Sequence, residues 1–220
     1  MSVRDIIAHI DHTFLNPLAT EKEMLDFAEN AQDSGVASLC VPPSFVPLLY
    51  KQFGDRVPLC TVVGFPNGYE STEIKVLSAK WAYEHGAREV DVVAPIGCIH
   101  GGNQDYLYNE IRLILAERPK NCIMKVILET GALSDRELVL TIKTLNQLDI
   151  DYYKTSTGFG FPGASEHAAK LIMEYKRPET KLKVSGGIAT IVEAERYLNI
   201  GADRLGSSRL LSACLNSVRE

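Results

Sequence analysis

No segment of the chain approaches the run of about 20 apolar residues that crosses a bilayer. The opening MSVRDIIAHIDHTFLNP sets Arg4 and Asp5 ahead of only a brief apolar stretch, unlike a secretion signal. The expectation is a cytoplasmic protein without a membrane partner. Cysteine is scarce and irregular: Cys40, Cys60, Cys98, Cys122 and Cys214 are odd in number, widely spaced and never in a CxxC pair. That excludes a disulfide framework and a thiolate zinc site as readings and suits a reducing compartment. The five histidines (His9, His12, His85, His100, His167) have no HxH or HExxH spacing, so no metal site is expected and single histidines read as cap or surface residues. No GxGxxG fingerprint occurs early in the chain, and no basic cluster interrupts a net charge of -5. A dinucleotide fold and a nucleic-acid partner are both disfavoured.

What is present is an alternation. Hydrophobic residues make up 45% of the 220 positions, enough for a sizeable core, and no linker or low-complexity block divides them. Short β-branched runs are predicted near His9 to His12, Val36 to Val41, Leu59 to Gly64, Glu89 to Val93, Cys122 to Leu128, Tyr152 to Lys154, Lys181 to Val184 and Arg204 to Gly206. Amphipathic helical stretches separate them. EKEMLDFAENAQDSG has helical spacing up to Gly35; STEIKVLSAKWAYEHG has Ser71 or Thr72 as cap and Gly86 as stop; SDRELVLTIKTLNQL opens on a Ser134 and Glu137 capping box. Repeated βα units fit an open doubly wound sheet or a closed (β/α)₈ TIM barrel. Eight strands in one domain, 1–220, favour the α/β barrel.

Charges fall where buried parallel strands should carry none: Asp91, Lys125, Lys154 and Lys183. Each must be neutralised, paired or used. The alternation in KVILE puts Lys125, Ile127 and Glu129 on one face. Any one lysine has the alternative reading of a frayed strand end snorkelling to water, and for Lys125 alone the two readings are even; the four charges together point to a site. Glycines follow three successive strands: Gly158, then Gly186 and Gly187, then Gly206 with Ser207 and Ser208. Loops of this kind cradle a phosphate with backbone N–H groups, which implies a small phosphorylated substrate. Two neighbouring lysines suggest Schiff-base chemistry, because one ammonium disfavours protonation of the next and frees an amine for a carbonyl.

The motifs IDHTFL, EVDVVAPIG, KVILETG, KTSTGF and KVSGGI, in this order from Ile10 to Ser208, resemble the deoxyribose-phosphate aldolase family. The resemblance implies a cofactor-free class I aldolase on a (β/α)₈ barrel, cleaving 2-deoxy-D-ribose 5-phosphate to acetaldehyde and D-glyceraldehyde 3-phosphate in deoxynucleoside breakdown. It implies Lys154 as the Schiff-base lysine, Lys183 as the cation beside it, Asp91 as the proton carrier and Lys125 as its partner. Gly158, Gly186, Gly187, Gly206 and Ser207 become the phosphate cradle, with Asp11 and Thr13 near the site. Cys40, at a strand end near the same mouth, reads either as a site thiol or as the more common buried structural cysteine. A homodimer or homotetramer is implied. Where the family usually carries asparagine this chain has Pro42 and Pro95, and Arg209 stands where a small residue is usual. Those departures keep two alternatives open: a Schiff-base aldolase for another phosphorylated aldehyde or ketose, and a weakly active phosphosugar sensor.

Overall fold

The computed structural model describes residues 1–218. Eight parallel strands close on themselves in chain order. They are β1 Ile10–Thr13, β2 Ser38–Val41, β3 Leu59–Val63, β4 Glu89–Val93, β5 Ile123–Ile127, β6 Tyr152–Lys154, β7 Lys181–Ser185 and β8 Arg204–Ser207. The helices are α1 Val3–Ile7, α2 Glu21–Ala31, α3 Val46–Phe53, α4 Thr72–Glu84, α5 Ile96–His100, α6 Gln104–Leu115, α7 Asp135–Leu145, α8 Glu166–Tyr175, α9 Ile191–Ile200 and α10 Leu210–Ser217. This is the expected (β/α)₈ barrel, and every expected strand lies within two residues of an observed one. The Ser134 and Glu137 capping box is formed, and Thr20/Glu23 and Thr190/Glu193 repeat it on α2 and α9; each such cap is worth about 1 kcal/mol. Ser71 occupies the cap position of α4 without donating or accepting a side-chain capping bond.

Strand alternation divides the residues into two sets. Outward positions such as Leu39, Val41, Val90, Val92, Met124, Val126, Leu182 and Val184 join helix residues such as Met24, Leu107, Ile142 and Ile172 in the main apolar core. The hydrophobic effect therefore drives the packing of helices on the outside of the sheet. The inward set is largely polar: Asp11, Ser38, Glu89, Asp91, Lys125, Lys183 and Lys154 are all buried. Barrel interiors of this class are ordinarily filled by branched aliphatic residues, so this interior spends stability on charge. No helix among the described residues is long and apolar enough to cross a membrane.

Candidate active site

Strand register brings the charges together. Asp91 on β4 is the register partner of Lys125 on β5, and Lys154 on β6 is the partner of Lys183 on β7. The Asp91 carboxylate accepts from all three lysines: Oδ1 lies 2.9 Å from Lys125 Nζ, and Oδ2 lies 2.8 Å from Lys154 Nζ and 2.7 Å from Lys183 Nζ. Beneath this layer, Lys183 also pairs with Asp11 and Lys125 with Glu89. Arg204 Nη1 reaches Asp11 Oδ1 at 2.5 Å and Glu89 at 3.3 Å, and Ser38 donates to Asp11 Oδ1 at 2.6 Å.

Burial alone would raise the Asp91 carboxyl, but Lys125, Lys154 and Lys183 outweigh it and hold it well below the usual carboxylate range. Burial would likewise deprotonate Lys183 and Lys125. For Lys183 the charges of Asp11 and Asp91 reverse that, and for Lys125 the chief opposing charge is Asp91, so both ammoniums are held above the ordinary lysine range. Counting the network, Lys125, Lys154, Lys183 and Arg204 face Asp11, Glu89 and Asp91, so cations exceed anions by one. One proton can leave without stranding a carboxylate.

Of these four cations, Lys154 is the one that lines the cavity at the barrel mouth. The cavity measures about 470 Å³ and runs from Lys154 past Thr13, Thr157 and Gly158 to Gly186, Gly187, Gly206, Ser207, Ser208 and Arg209. All five expected cradle residues thus share one cavity with the expected Schiff-base lysine. Among the described residues, the N–H groups of Gly186, Gly187, Ile188 and Ser208 donate to no protein acceptor, which leaves donors for an anion.

The individual reasons differ from the sequence expectation in places. Gly187 has φ +93° and open space around it, as a backbone cradle requires. Gly206 is there for another reason: a Cβ would lie 2.2 Å from Ser185 Oγ and 3.1 Å from Lys183 Cε. Its missing side chain makes room for Lys183. The Ser207 hydroxyl is already engaged, donating to Ile188 O at 2.6 Å and accepting from the N–H groups of Arg209 and Leu210, so Ser207 offers the cavity only its backbone. Thr13 donates its hydroxyl to Asp11 O at 2.9 Å.

Cys40 is buried outside this cavity and is the register partner of Cys60. The thiol of Cys60 donates to Asp91 Oδ1 at 3.3 Å and lies 3.4 Å from Lys125 Nζ. Cys40, Cys60 and Asp91 bring ligand-type atoms within 4.8 Å of one another, as do Asp11, Cys60 and Glu89. Those carboxylates are committed to ammonium groups, and a cation would sit directly against Lys125. Pro42 and Pro95 do not line the cavity; their carbonyls accept from Phe45 N–H at 3.1 Å and Cys98 N–H at 2.9 Å, opening the turn and α5 that follow. Arg209 is exposed at the cavity rim.

Sequence reasoning missed Glu89, Arg204, Cys60 and Ser185. Period-two extension from Asp91 and Gly206 reaches Glu89 and Arg204, so that signal was available. Ser185, two residues past Lys183, lines the cavity with a buried hydroxyl lacking a partner among the described residues. His12 also departs from expectation: it is buried, stacked on Phe27 with ring centroids 4.5 Å apart.

A closed barrel with one cavity-facing lysine, backed by an ionised Asp91 and a second ammonium, defines the class of barrel aldolases that work through an amine. Residues 6–214 match the family described as DeoC/LacD family aldolase. The chain belongs to that family. It is 44% identical over 201 residues to a deoxyribose-phosphate aldolase of Clostridium botulinum (strain Langeland), covering 91% of this chain and 94% of that one. It is 40% identical over 202 residues to the deoxyribose-phosphate aldolase of Treponema denticola, with the same two coverages, 91% and 94%. The tetrameric deoxyribose phosphate aldolase of Aeropyrum pernix superposes with a TM-score of 0.88 at 28% identity, covering 100% of this chain and 93% of that one.

Proposed function

We propose that the protein is a class I deoxyribose-phosphate aldolase, reversibly cleaving 2-deoxy-D-ribose 5-phosphate to acetaldehyde and D-glyceraldehyde 3-phosphate in deoxynucleoside breakdown. The observation that carries the reading is that Lys154, of the four clustered cations, opens on the cavity whose far end offers the free N–H groups of Gly186, Gly187, Ile188 and Ser208. In this reading the Lys154 amine adds to the aldehyde carbon of the open-chain sugar and water leaves. The protonated Schiff-base nitrogen is then the electron sink, so the reaction calls for no cofactor. Removal of the proton from the third-carbon hydroxyl breaks the bond between the second and third carbons. Glyceraldehyde 3-phosphate departs, the enamine takes a proton on carbon, and hydrolysis frees acetaldehyde.

Asp91, 2.8 Å from Lys154 Nζ, carries protons to and from these positions through an ordered water. Lys183 supplies the neighbouring positive charge, and Lys125 keeps Asp91 ionised. Asp11 holds Lys183 from below, Thr13 and Gly158 shape the wall, Gly186, Gly187, Ile188 and Ser208 give the phosphate cradle its N–H donors, and Gly206 and Ser207 line it with Arg209 at its rim. Cys40 supports the wall behind Asp91.

Retention of the full lysine and aspartate network disfavours the sensor reading. Another phosphorylated aldehyde or ketose is the competing substrate class. Assembly as a homodimer or homotetramer is part of the proposal, supported by the exposed apolar residues Ile74, Leu77 and Trp81 along α4. A cytoplasmic setting is supported by five free cysteines. The test is aldehyde release from deoxyribose 5-phosphate set against ribose 5-phosphate and ketose phosphates. A preference of at least tenfold in kcat/KM for the deoxy sugar is expected, and a preference for any of the others overturns the substrate assignment.

A further inference from the structure

The connection between β5 and α7 holds a buried carboxylate that the reaction scheme leaves unused. Glu129 is the one non-glycine residue of positive φ among the described residues, at φ 51° and ψ 60°. An L side chain disfavours that conformation, and such strain persists where the surroundings impose it. Here Leu128 N–H donates to Lys154 O at 2.9 Å and Thr130 N–H donates to Thr155 O at 2.8 Å, clamping Glu129 from both sides onto the segment that carries Lys154.

The side chain is 1% exposed. Among the described residues, its hydrogen bonds all come from Thr157: the N–H at 3.3 Å to Oε1 and 3.2 Å to Oε2, and the hydroxyl to Oε2. Burial pushes the Glu129 carboxyl upward, and the Thr157 donors partly offset this. A hydroxyl has one proton. With that proton given to Glu129, Thr157 Oγ1 accepts from Phe159 N–H at 3.1 Å and closes the turn Thr157–Phe159. Gly158 in this turn packs against Gly186, and the whole turn lines the cavity between Lys154 and the free N–H groups. A glycine at position 129 would relieve the backbone, and no buried carboxylate would then need hydrogen-bond partners. The Thr157 N–H would lose its acceptor in exchange, at a cost of about 1–3 kcal/mol, so the two effects largely offset and stability alone does not select the glutamate.

We propose that Glu129 is a positioning residue of the aldol reaction, its carboxylate fixing the turn Thr157–Phe159 so that the wall between the Lys154 amine and the phosphate end keeps its spacing. The role rests on the aldolase reading above. The test compares Glu129→Gly, Thr157→Val and Thr157→Ser with the parent enzyme in thermal midpoint, kcat, KM for deoxyribose 5-phosphate, and borohydride trapping on Lys154. Glu129→Gly is expected to fold with a thermal midpoint close to that of the parent and still be trapped on Lys154, while KM rises about tenfold or more, because misplacing a held substrate costs on that scale. Kcat is expected to change less than KM. Thr157→Val should raise KM in the same direction, and Thr157→Ser, which keeps the hydroxyl, should restore it relative to valine. The threonine pair leaves the strained backbone untouched and carries the test if Glu129→Gly does not fold. Parent-like KM in Glu129→Gly, or equal KM in the valine and serine variants, overturns the role. Absence of any Lys154 adduct in the parent overturns the aldolase reading itself, a result distinct from trapping with unchanged KM.

Discussion

Lys154 and Lys183, register partners on β6 and β7, both point their ammonium groups at one oxygen, Oδ2 of Asp91, at 2.8 and 2.7 Å. Two cations sharing one acceptor atom is an arrangement that a purely structural ion pair does not need. With Lys183 replaced by leucine, three cations face three carboxylates, and release of a proton from the cluster no longer restores neutrality. Lys183→Leu is expected to lower kcat at least 100-fold, the scale of a lost acid–base group, and to displace the pH–rate profile toward higher pH. An unchanged profile would contradict the electrostatic role of Lys183.

The lower layer of the network is expected to report on stability. Arg204 bridges Asp11 and Glu89 while lying over the Tyr152 ring, 5.5 Å from its centroid. Breaking a buried ion pair by removing one partner costs about 3–5 kcal/mol. Urea unfolding of Arg204→Met should show a loss of that order, and the Glu89→Gln/Arg204→Met double variant should lose less than the sum of the two single variants. Losses below about 1 kcal/mol would place this layer among solvent-screened pairs.

Gly206 gives a test of packing against Lys183. A Cβ there meets Ser185 Oγ at 2.2 Å, so Gly206→Ala is expected to move Ser185 and Lys183 and to lower kcat/KM about tenfold or more. Adding Ser185→Ala removes the nearer obstacle. Partial recovery in the double variant is expected; a Gly206→Ala enzyme with parent kinetics would show that the site tolerates the shift.

His12 sets an acid limit on stability. Burial lowers its pKa to about 4, against about 6.5 in an unfolded chain. Between those values the unfolded state binds the extra proton, so stability is full above about pH 6.5 and declines as pH falls toward 4, by up to about 3 kcal/mol. Asp11 and Asp91, held low in the folded state, add their own loss below about pH 4, the unfolded aspartate range. Unfolding free energies at pH 7, 5 and 4 should show the first decline in the parent and a flatter line in His12→Phe, which keeps an aromatic ring against Phe27. Identical slopes would remove His12 from the acid response.

The barrel was legible because its outward faces repeat short β-branched runs at helical intervals, and the caps at Ser134 and Gly86 bounded the elements between them. Lys154, Lys183, Asp91 and Lys125 were legible as a group because charge at the end of a buried strand demands a partner. The partners one layer down were harder to read: Glu89 begins its strand, where a charge is ordinarily solvated, and Arg204 follows Asp203 in a polar turn. Only closure of the sheet brings β8 beside β1 and sets Arg204 against Asp11, 193 positions away. Gly206 could not have been assigned to Lys183 packing from sequence, since a glycine records nothing about what fills its missing side chain. The two prolines drew attention for lost amides, yet their carbonyls begin the next turns and neither reaches the cavity.

The most direct measurement is chemical trapping of the amine. The protein is incubated with deoxyribose 5-phosphate, reduced with borohydride and mapped by peptide mass. One reduced adduct on the peptide bearing Lys154 is expected, absent in Lys154→Met. An adduct on Lys183 or Lys125 instead, or turnover with no adduct at all, would contradict the assignment of Lys154 as the amine that meets the aldehyde.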